Sequence, residues 1–165
     1  MTAGPFDDVL DANAAFAATY ASRGLGARAV RGLAVLTCMD SRLDPLAMLG
    51  LGIGDAKVLR NAGARVTDEV LSSIVLARYL LGCDRCMVIA HTRCAMAGGT
   101  EQRVHDAIVA AGGPDTRSLS LRATEDQEAT LRTDVQRVRS SPYLPDLTVG
   151  GFVYDVDSGR LHEVC

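Results

Sequence analysis

Short apolar runs and amphipathic stretches alternate along this chain. Residues 6–22 are Ala-rich with scattered Asp, which predicts an N-terminal helix ended by Gly24 and Gly26. The apolar run at 33–36 follows Arg31-Gly32 and predicts a buried strand. A short helix is expected around 43–49, closed by Gly50, Gly52 and Gly54, and a second strand at 57–60, ending at Asn61. Thr67 has the chemistry of an N-cap, and Asp68 and Glu69 complement the dipole of the helix that follows. Its apolar set (Val70, Leu71, Ile74, Val75, Leu80, Leu81) runs to Gly82, a C′ residue. Residues 86–90 read as another buried strand, 100–111 and 123–139 as helices split by Gly112-Gly113-Pro114. The runs 152–156 and 161–164 flank Asp157-Ser158-Gly159, a hairpin signal.

Strands alternating with helices predict an α/β fold: a mostly parallel β-sheet flanked by helices, with an antiparallel C-terminal edge hairpin. Nothing divides the chain, so 1–165 is expected to be one domain, with 1–28 a helical arm and 29–165 the core. In parallel sheets reactive residues gather at the carboxyl ends of strands. Two unusual clusters, 38–42 and 91–94, fall at such ends.

Composition narrows the function. Aromatics make up 4% and Trp is absent, so the core must be built from Ala, Val, Leu and Ile, as suits helices on a parallel sheet. A net charge of −3 argues against nucleic acid as a partner. No apolar run reaches the ~18–20 residues of a membrane span. The first ten residues carry Asp7 and Asp8 in place of a basic leader, so a cytoplasmic location is expected. Five cysteines, an odd number, favour metal binding or buried thiols over disulfides. Cys83-x-x-Cys86 lacks a second pair and reads as buried thiols. His105 is expected to be solvent-exposed, His162 and Cys165 have no inferred role, and Arg132, Arg137 and Arg139 read as a solvated helix face.

Cys38, His91 and Cys94 supply a Cys₂His set from two strand ends, the donor chemistry of a catalytic zinc site that keeps one position open. His91-x-x-Cys94 is short enough for both side chains to reach one ion. Asp40 could fill the fourth position or stand beside bound water. Arg42, two residues on and on the same face of an extended segment, could hold that carboxylate in a bidentate pair and keep it off the metal. Two thiolates cancel the charge of the ion, so water bound there should be less acidic than on a three-histidine site, and activity should rise toward alkaline pH.

Residues 38–42 (C-x-D-x-R) and 91–94 (H-x-x-C), with Arg60-Asn61-Ala62-Gly63 between them, resemble the β-class carbonic anhydrases of small prokaryotic type. The closing Gly151-Phe152-Val153-Tyr154-Asp155 segment is similar as well. The resemblance implies one Zn²⁺ per chain on Cys38, His91 and Cys94, with Asp40 and Arg42 as the catalytic pair and Asp40 a fourth ligand in a closed state. It implies reversible hydration of carbon dioxide to bicarbonate and a proton by zinc-bound hydroxide. It also implies an intertwined homodimer embraced by its N-terminal helices, with a tetramer as the next level of assembly. Two alternatives share these motifs: hydrolysis of carbonyl sulfide or carbon disulfide, and a weakly catalytic zinc- or bicarbonate-binding protein. Family members carry Gly after the second Cys ligand, where this chain has Ala95, and many place a Gln before the first strand, which 27–32 lacks. If that Gly is needed for a left-handed backbone, Ala95 costs about 1–2 kcal/mol and shifts Cys94.

Overall fold

This computed structural model describes residues 4–21 and 24–165. Among them lie the strands β1 (Leu33–Cys38), β2 (Ala56–Asn61), β3 (Arg85–His91), β4 (Thr148–Tyr154) and β5 (Leu161–Glu163), and the helices α1 (Asp7–Thr19), α2 (Asp68–Tyr79), α3 (Glu101–Ala110) and α4 (Gln127–Arg139). The strands form one sheet in the order β2-β1-β3-β4-β5. Every pairing is parallel except β4 with β5, so the expected α/β sheet with an antiparallel edge hairpin is present.

β1 lies inside the sheet between β2 and β3 and is buried along its whole length, which is why its sequence is nearly all apolar rather than alternating. On one face Ala34 and Leu36 of β1 and Val88 of β3 pack against Val70 and Ile74 of α2 and Leu131, Val135 and Val138 of α4. On the other, Val35 and Ile89 meet Met48, Leu51 and Phe152. Leu36 and Ile74 are fully buried, and truncating either to Ala would cost about 2–5 kcal/mol.

Local chemistry sets the element ends. Thr67 caps α2 by accepting from the Val70 N–H, and Thr100 and Asp126 do the same for α3 and α4. The hairpin turn is built on the Asp155 carboxylate, which accepts the N–H groups of Asp157 (2.8 Å) and Ser158 (3.1 Å). α1 has no buried residue, and Phe6, Val9, Leu10, Phe16 and Tyr20 are all exposed. Ser22, the last residue of the helix expected from sequence, lies outside the described residues.

Four expectations need correction. The helix around 43–49 is only a single 3₁₀ turn, Ala47–Leu49, because Asp44 takes the Leu46 and Ala47 N–H groups and Gly50 turns left-handed immediately after. The helix expected from 123 begins at Gln127, since Thr124 bridges back to Ala97 and Asp126 is the cap. His105 is buried, its Nδ1 2.9 Å from the Thr116 hydroxyl, because the loop after α3 folds back over the helix. Arg137 and Arg139 are not merely solvated: Arg137 pairs with Asp68 and donates to the Val66 carbonyl (2.7 Å), and Arg139 donates to that of Val149 (2.6 Å). No helix among the described residues is long and apolar enough to cross a membrane.

Candidate metal centre

The parallel register aligns the carboxyl ends of β1 and β3, pairing Thr37 with Ile89. Cys38 is the last residue of β1 and His91 the last of β3. The chain then turns through Thr92 and Arg93 to bring Cys94 back toward Cys38. The ligand atoms of Cys38, His91 and Cys94, all three buried, lie within 4.8 Å of one another. The two sulfurs are 4.0 Å apart. Sulfurs sharing one tetrahedral zinc at ~2.3 Å each would stand roughly 3.8 Å apart. His91 Nε2 is buried without a hydrogen-bond partner among the described residues, a costly condition unless a metal takes its lone pair. The donor set, the spacing and this orphaned nitrogen fit zinc.

Several groups hold this arrangement. His91 Nδ1 donates to the Thr92 carbonyl at 2.9 Å, leaving Nε2 as the free donor atom. Gln127 donates to the His91 carbonyl at 3.1 Å. The Gly63 N–H donates to Cys38 Sγ at 3.3 Å from a left-handed backbone (φ 76°), and a Cβ there would meet the Met96 Cβ at 3.2 Å. Arg60 donates to the carbonyls of Cys38 (2.9 Å) and Asp40 (2.6 Å), fixing the segment that leaves the sheet. The hydrogen bond with the Cys94 thiol, opposed by burial and aided by His91 and the Gly63 N–H, holds the Cys38 thiol well below its usual range. The same bond pushes Cys94 up, and burial adds to it. Burial, the largest single influence, would lower His91, but Cys38, the Thr92 carbonyl and Asp40 together outweigh it and raise the imidazole.

Asp40 stands beside this cluster, with Oδ2 3.9 Å from His91 Nε2. Arg42 holds it in a fork: Nε to Oδ1 at 2.9 Å and Nη2 to Oδ2 at 2.7 Å, with the Arg42 N–H also on Oδ1 at 2.9 Å. Arg42 Nη2 further donates to the Arg93 carbonyl at 3.2 Å. This guanidinium holds the Asp40 carboxyl below the carboxylate range, so it is an anion at neutral pH. Asp40, Arg42, Cys38 and Cys94 line one open cleft, where a small molecule could reach the donors.

The structure thus brings together all five residues singled out by sequence. The supporting roles of Arg60, Gly63, Thr92 and Gln127 went unread, although Arg60 and Gly63 lie in the Arg60-Asn61-Ala62-Gly63 segment that signalled them. Ala95 is not among the non-glycine residues of positive φ, which are Ala64, Arg93 and Arg122, so the concern over a left-handed Ala95 does not hold. Cys83 and Cys86 are buried in the core, and burial pushes the Cys86 thiol up to about 12.

A parallel-sheet fold with a Cys-His-Cys cluster at its carboxyl edge defines a class of zinc proteins, and the comparisons specify which. The carbonic anhydrase family model matches residues 33–161. β-Carbonic anhydrase 1 of Mycobacterium tuberculosis is 36% identical over 133 residues, spanning 80% of this chain and 81% of that protein. A carbon disulfide hydrolase of Acidithiobacillus thiooxidans is 30% identical over 159 residues, spanning 84% and 80%. The crystal structure of a carbonic anhydrase from Streptococcus mutans superposes with a TM-score of 0.90 at 34% identity, covering 100% of both chains. This chain belongs to the β-carbonic anhydrase family.

Proposed function

We propose that this chain is a carbonic anhydrase, catalysing the zinc-dependent, reversible hydration of carbon dioxide to bicarbonate and a proton. The observation that carries the reading is the Asp40–Arg42 fork standing 3.9 Å from the orphaned His91 nitrogen of a buried Cys₂His cluster. A zinc ion held only for structure would need neither residue. Cys38, His91 and Cys94 would hold one ion per chain. Zinc there supplies the Lewis acidity that brings water toward a pKa of about 7, tempered by the two thiolates.

The protein groups do the remainder. Asp40, kept anionic by Arg42, accepts a hydrogen bond at Oδ2 from the water that is to react and orients it toward carbon dioxide in the cleft. Arg42 confines that carboxylate, so that it does not become a fourth donor beside Cys38, His91 and Cys94. The test is stopped-flow carbon dioxide hydration together with zinc content on one preparation. One zinc per chain with turnover rising toward alkaline pH is expected, and stoichiometric zinc without hydration would overturn the reading.

A second substrate is favoured by one observation, the similarity to a carbon disulfide hydrolase over 84% of this chain. Carbon disulfide and carbonyl sulfide are linear like carbon dioxide, and turnover of the three side by side separates the readings. The exposed apolar residues on α1 support a homodimer in which residues 1–28 form an arm on a second copy and 29–165 the catalytic core. Ligand thiols that must stay reduced support a cytoplasmic setting. A monomer in sedimentation at micromolar concentration would remove the dimer.

A further inference from the structure

The loop that carries His91 and Cys94 is gripped from outside by the terminal hairpin. We propose that Asp157, acting through Arg93, is a positioning residue that holds Arg42 in register for its fork with Asp40. This rests on the reading above, in which the Asp40–Arg42 pair governs turnover.

Arg93 has φ 55°, a left-handed conformation that a non-glycine residue keeps only where its surroundings over-determine it. The hairpin supplies those constraints. The Thr92 N–H donates to the Tyr154 carbonyl at 2.9 Å, and the Val156 N–H donates to the Thr92 hydroxyl at 3.1 Å. The Arg93 guanidinium pairs with the Asp157 carboxylate. Asp157 is itself placed by its N–H on Asp155 Oδ1 at 2.8 Å, within a turn closed by Gly159 N–H on the Asp155 carbonyl, also 2.8 Å.

On its inner side the same residue meets Arg42. The Arg93 carbonyl accepts from Arg42 Nη2 at 3.2 Å, and that nitrogen also holds Asp40 Oδ2 at 2.7 Å. Arg42 is therefore confined between Asp40 and Arg93, and Arg93 between Arg42 and the hairpin. Arg93 and Asp157 are 61% and 66% exposed, so their pair adds little to stability by itself. If Arg93 were only a turn residue, glycine would serve a positive φ better. Its side chain makes sense as the handle by which the hairpin holds the carbonyl on Arg42.

The experiment measures carbon dioxide hydration, zinc content and thermal midpoint on the zinc-loaded full chain. Asp157→Asn and Arg93→Gly should each lower kcat about two- to fivefold, the reach of an exposed ion pair. Zinc content should not change, and the midpoint should hold for Asp157→Asn and hold or rise for Arg93→Gly. Asp157→Glu should restore most of the turnover. In an Arg42→Ala background, Asp157→Asn should cause no further loss, since the group it positions is gone. Full turnover in Asp157→Asn, or an equal proportional loss in both backgrounds, overturns the proposal and leaves the Asp40–Arg42 reading intact. Normal turnover in Arg42→Ala alone overturns that reading and the proposal with it.

Discussion

Two aspartate–arginine pairs lie on opposite sides of Cys94. Asp40 and Arg42 are two residues apart in one turn, closed by the Leu43 N–H on the Asp40 carbonyl at 3.1 Å, with side chains 20% and 43% exposed. Asp134 and Arg65 are 69 residues apart, 6% and 19% exposed, and join α4 to the loop after β2 at 2.6 Å. The turn from Cys94 to Ala97 separates them: Cys94 and Met96 border both the open cleft of Asp40 and the inner cavity of Asp134. The buried pair cannot be parted without stranding a charge, so it fixes the fold. The half-exposed pair contributes little to stability, and its carboxylate stays open to the cleft while Arg42 confines it. Similar chemistry serves structure in one place and, in the function proposed above, reaction in the other, because solvent reaches the Asp40 carboxylate and is largely kept from that of Asp134.

The sharpest way to break this comparison is to remove a carboxylate from the buried side. Asp134→Ala leaves the Arg65 guanidinium, among the described residues, with the Arg122 carbonyl (2.9 Å) alone and should destabilise the protein by about 3 kcal/mol. For a chain of this size that lowers the thermal midpoint by roughly 6–12 °C. Turnover per folded molecule should stay within about twofold of wild type, since Asp134 does not border the cleft of Asp40. Lost turnover with an unmoved midpoint would erase the distinction.

Arg42→Ala is the mirror experiment on the open side. Turnover should fall about 100-fold, roughly 2.7 kcal/mol of barrier, because the carboxylate is no longer confined beside the donors. Zinc content should be retained, and the midpoint should move by less than about 2 °C. A shift in the midpoint comparable to that of Asp134→Ala would show that the two pairs do the same work.

The difference also decides what could be read before any coordinates. Asp40 and Arg42 were legible because a two-residue spacing keeps carboxylate and guanidinium within reach, although the segment is a turn, with the Arg42 N–H on Asp40 Oδ1 at 2.9 Å, and not the extended run expected. Cys38, His91 and Cys94 were legible because strand ends and short loops are local features that the register of a parallel sheet then brings together. Arg65–Asp134 was not, since local pattern carries no record of which residue 69 positions away will pack opposite. The same holds for His105, which a polar helix suggests is exposed and which a returning loop buries against Thr116. Arg137 and Arg139 looked solvated because their acceptors, the Val66 and Val149 carbonyls and the Asp68 carboxylate, lie elsewhere along the chain, which no local pattern reveals. The five strands and four helices were foreseen, but β4 begins at Thr148 and ends at Tyr154 where 152–156 was expected, because Gly150 and Gly151 interrupt the apolar run that marks it. The misplaced helix boundaries at 43–49 and 123–126 fell where Asp and Thr side chains divert the backbone hydrogen bonds.

A smaller effect concerns acid. Arg42 lowers the folded-state pKa of Asp40 below its unfolded value, so the folded state binds fewer protons in the acid range. The stabilisation from the fork is therefore fully present above about pH 4–5 and is lost as pH falls through the folded pKa. Urea midpoints of metal-free wild type and Asp40→Asn should differ modestly at pH 6 and converge toward pH 2. A gap that widens in acid would mean that the carboxyl is stabilised in its protonated form, the reverse of the open-side pair described here.

The least perturbing change tests the divider itself. Ala95 follows Cys94 in the turn closed by the Ala97 N–H on the Cys94 carbonyl at 3.0 Å. The central positions of ordinary type I turns have negative φ, which alanine adopts without strain, and Ala95 is not among the residues of positive φ. The strain in this loop sits two residues earlier, at Arg93. Ala95 is exposed, and its carbonyl accepts from Arg103 Nη2 at 3.3 Å, a contact that glycine would keep. Ala95→Gly should therefore act through the unfolded chain, lowering stability by about 0.5–1 kcal/mol through added backbone freedom. Zinc content and turnover should match wild type. Arg93→Gly should move the midpoint the other way or not at all while lowering turnover, so two glycines placed two residues apart would have opposite signatures. Faster turnover or a raised midpoint in Ala95→Gly would show that alanine strains the turn, and that Cys94 is held less well than the distances on either side of it indicate.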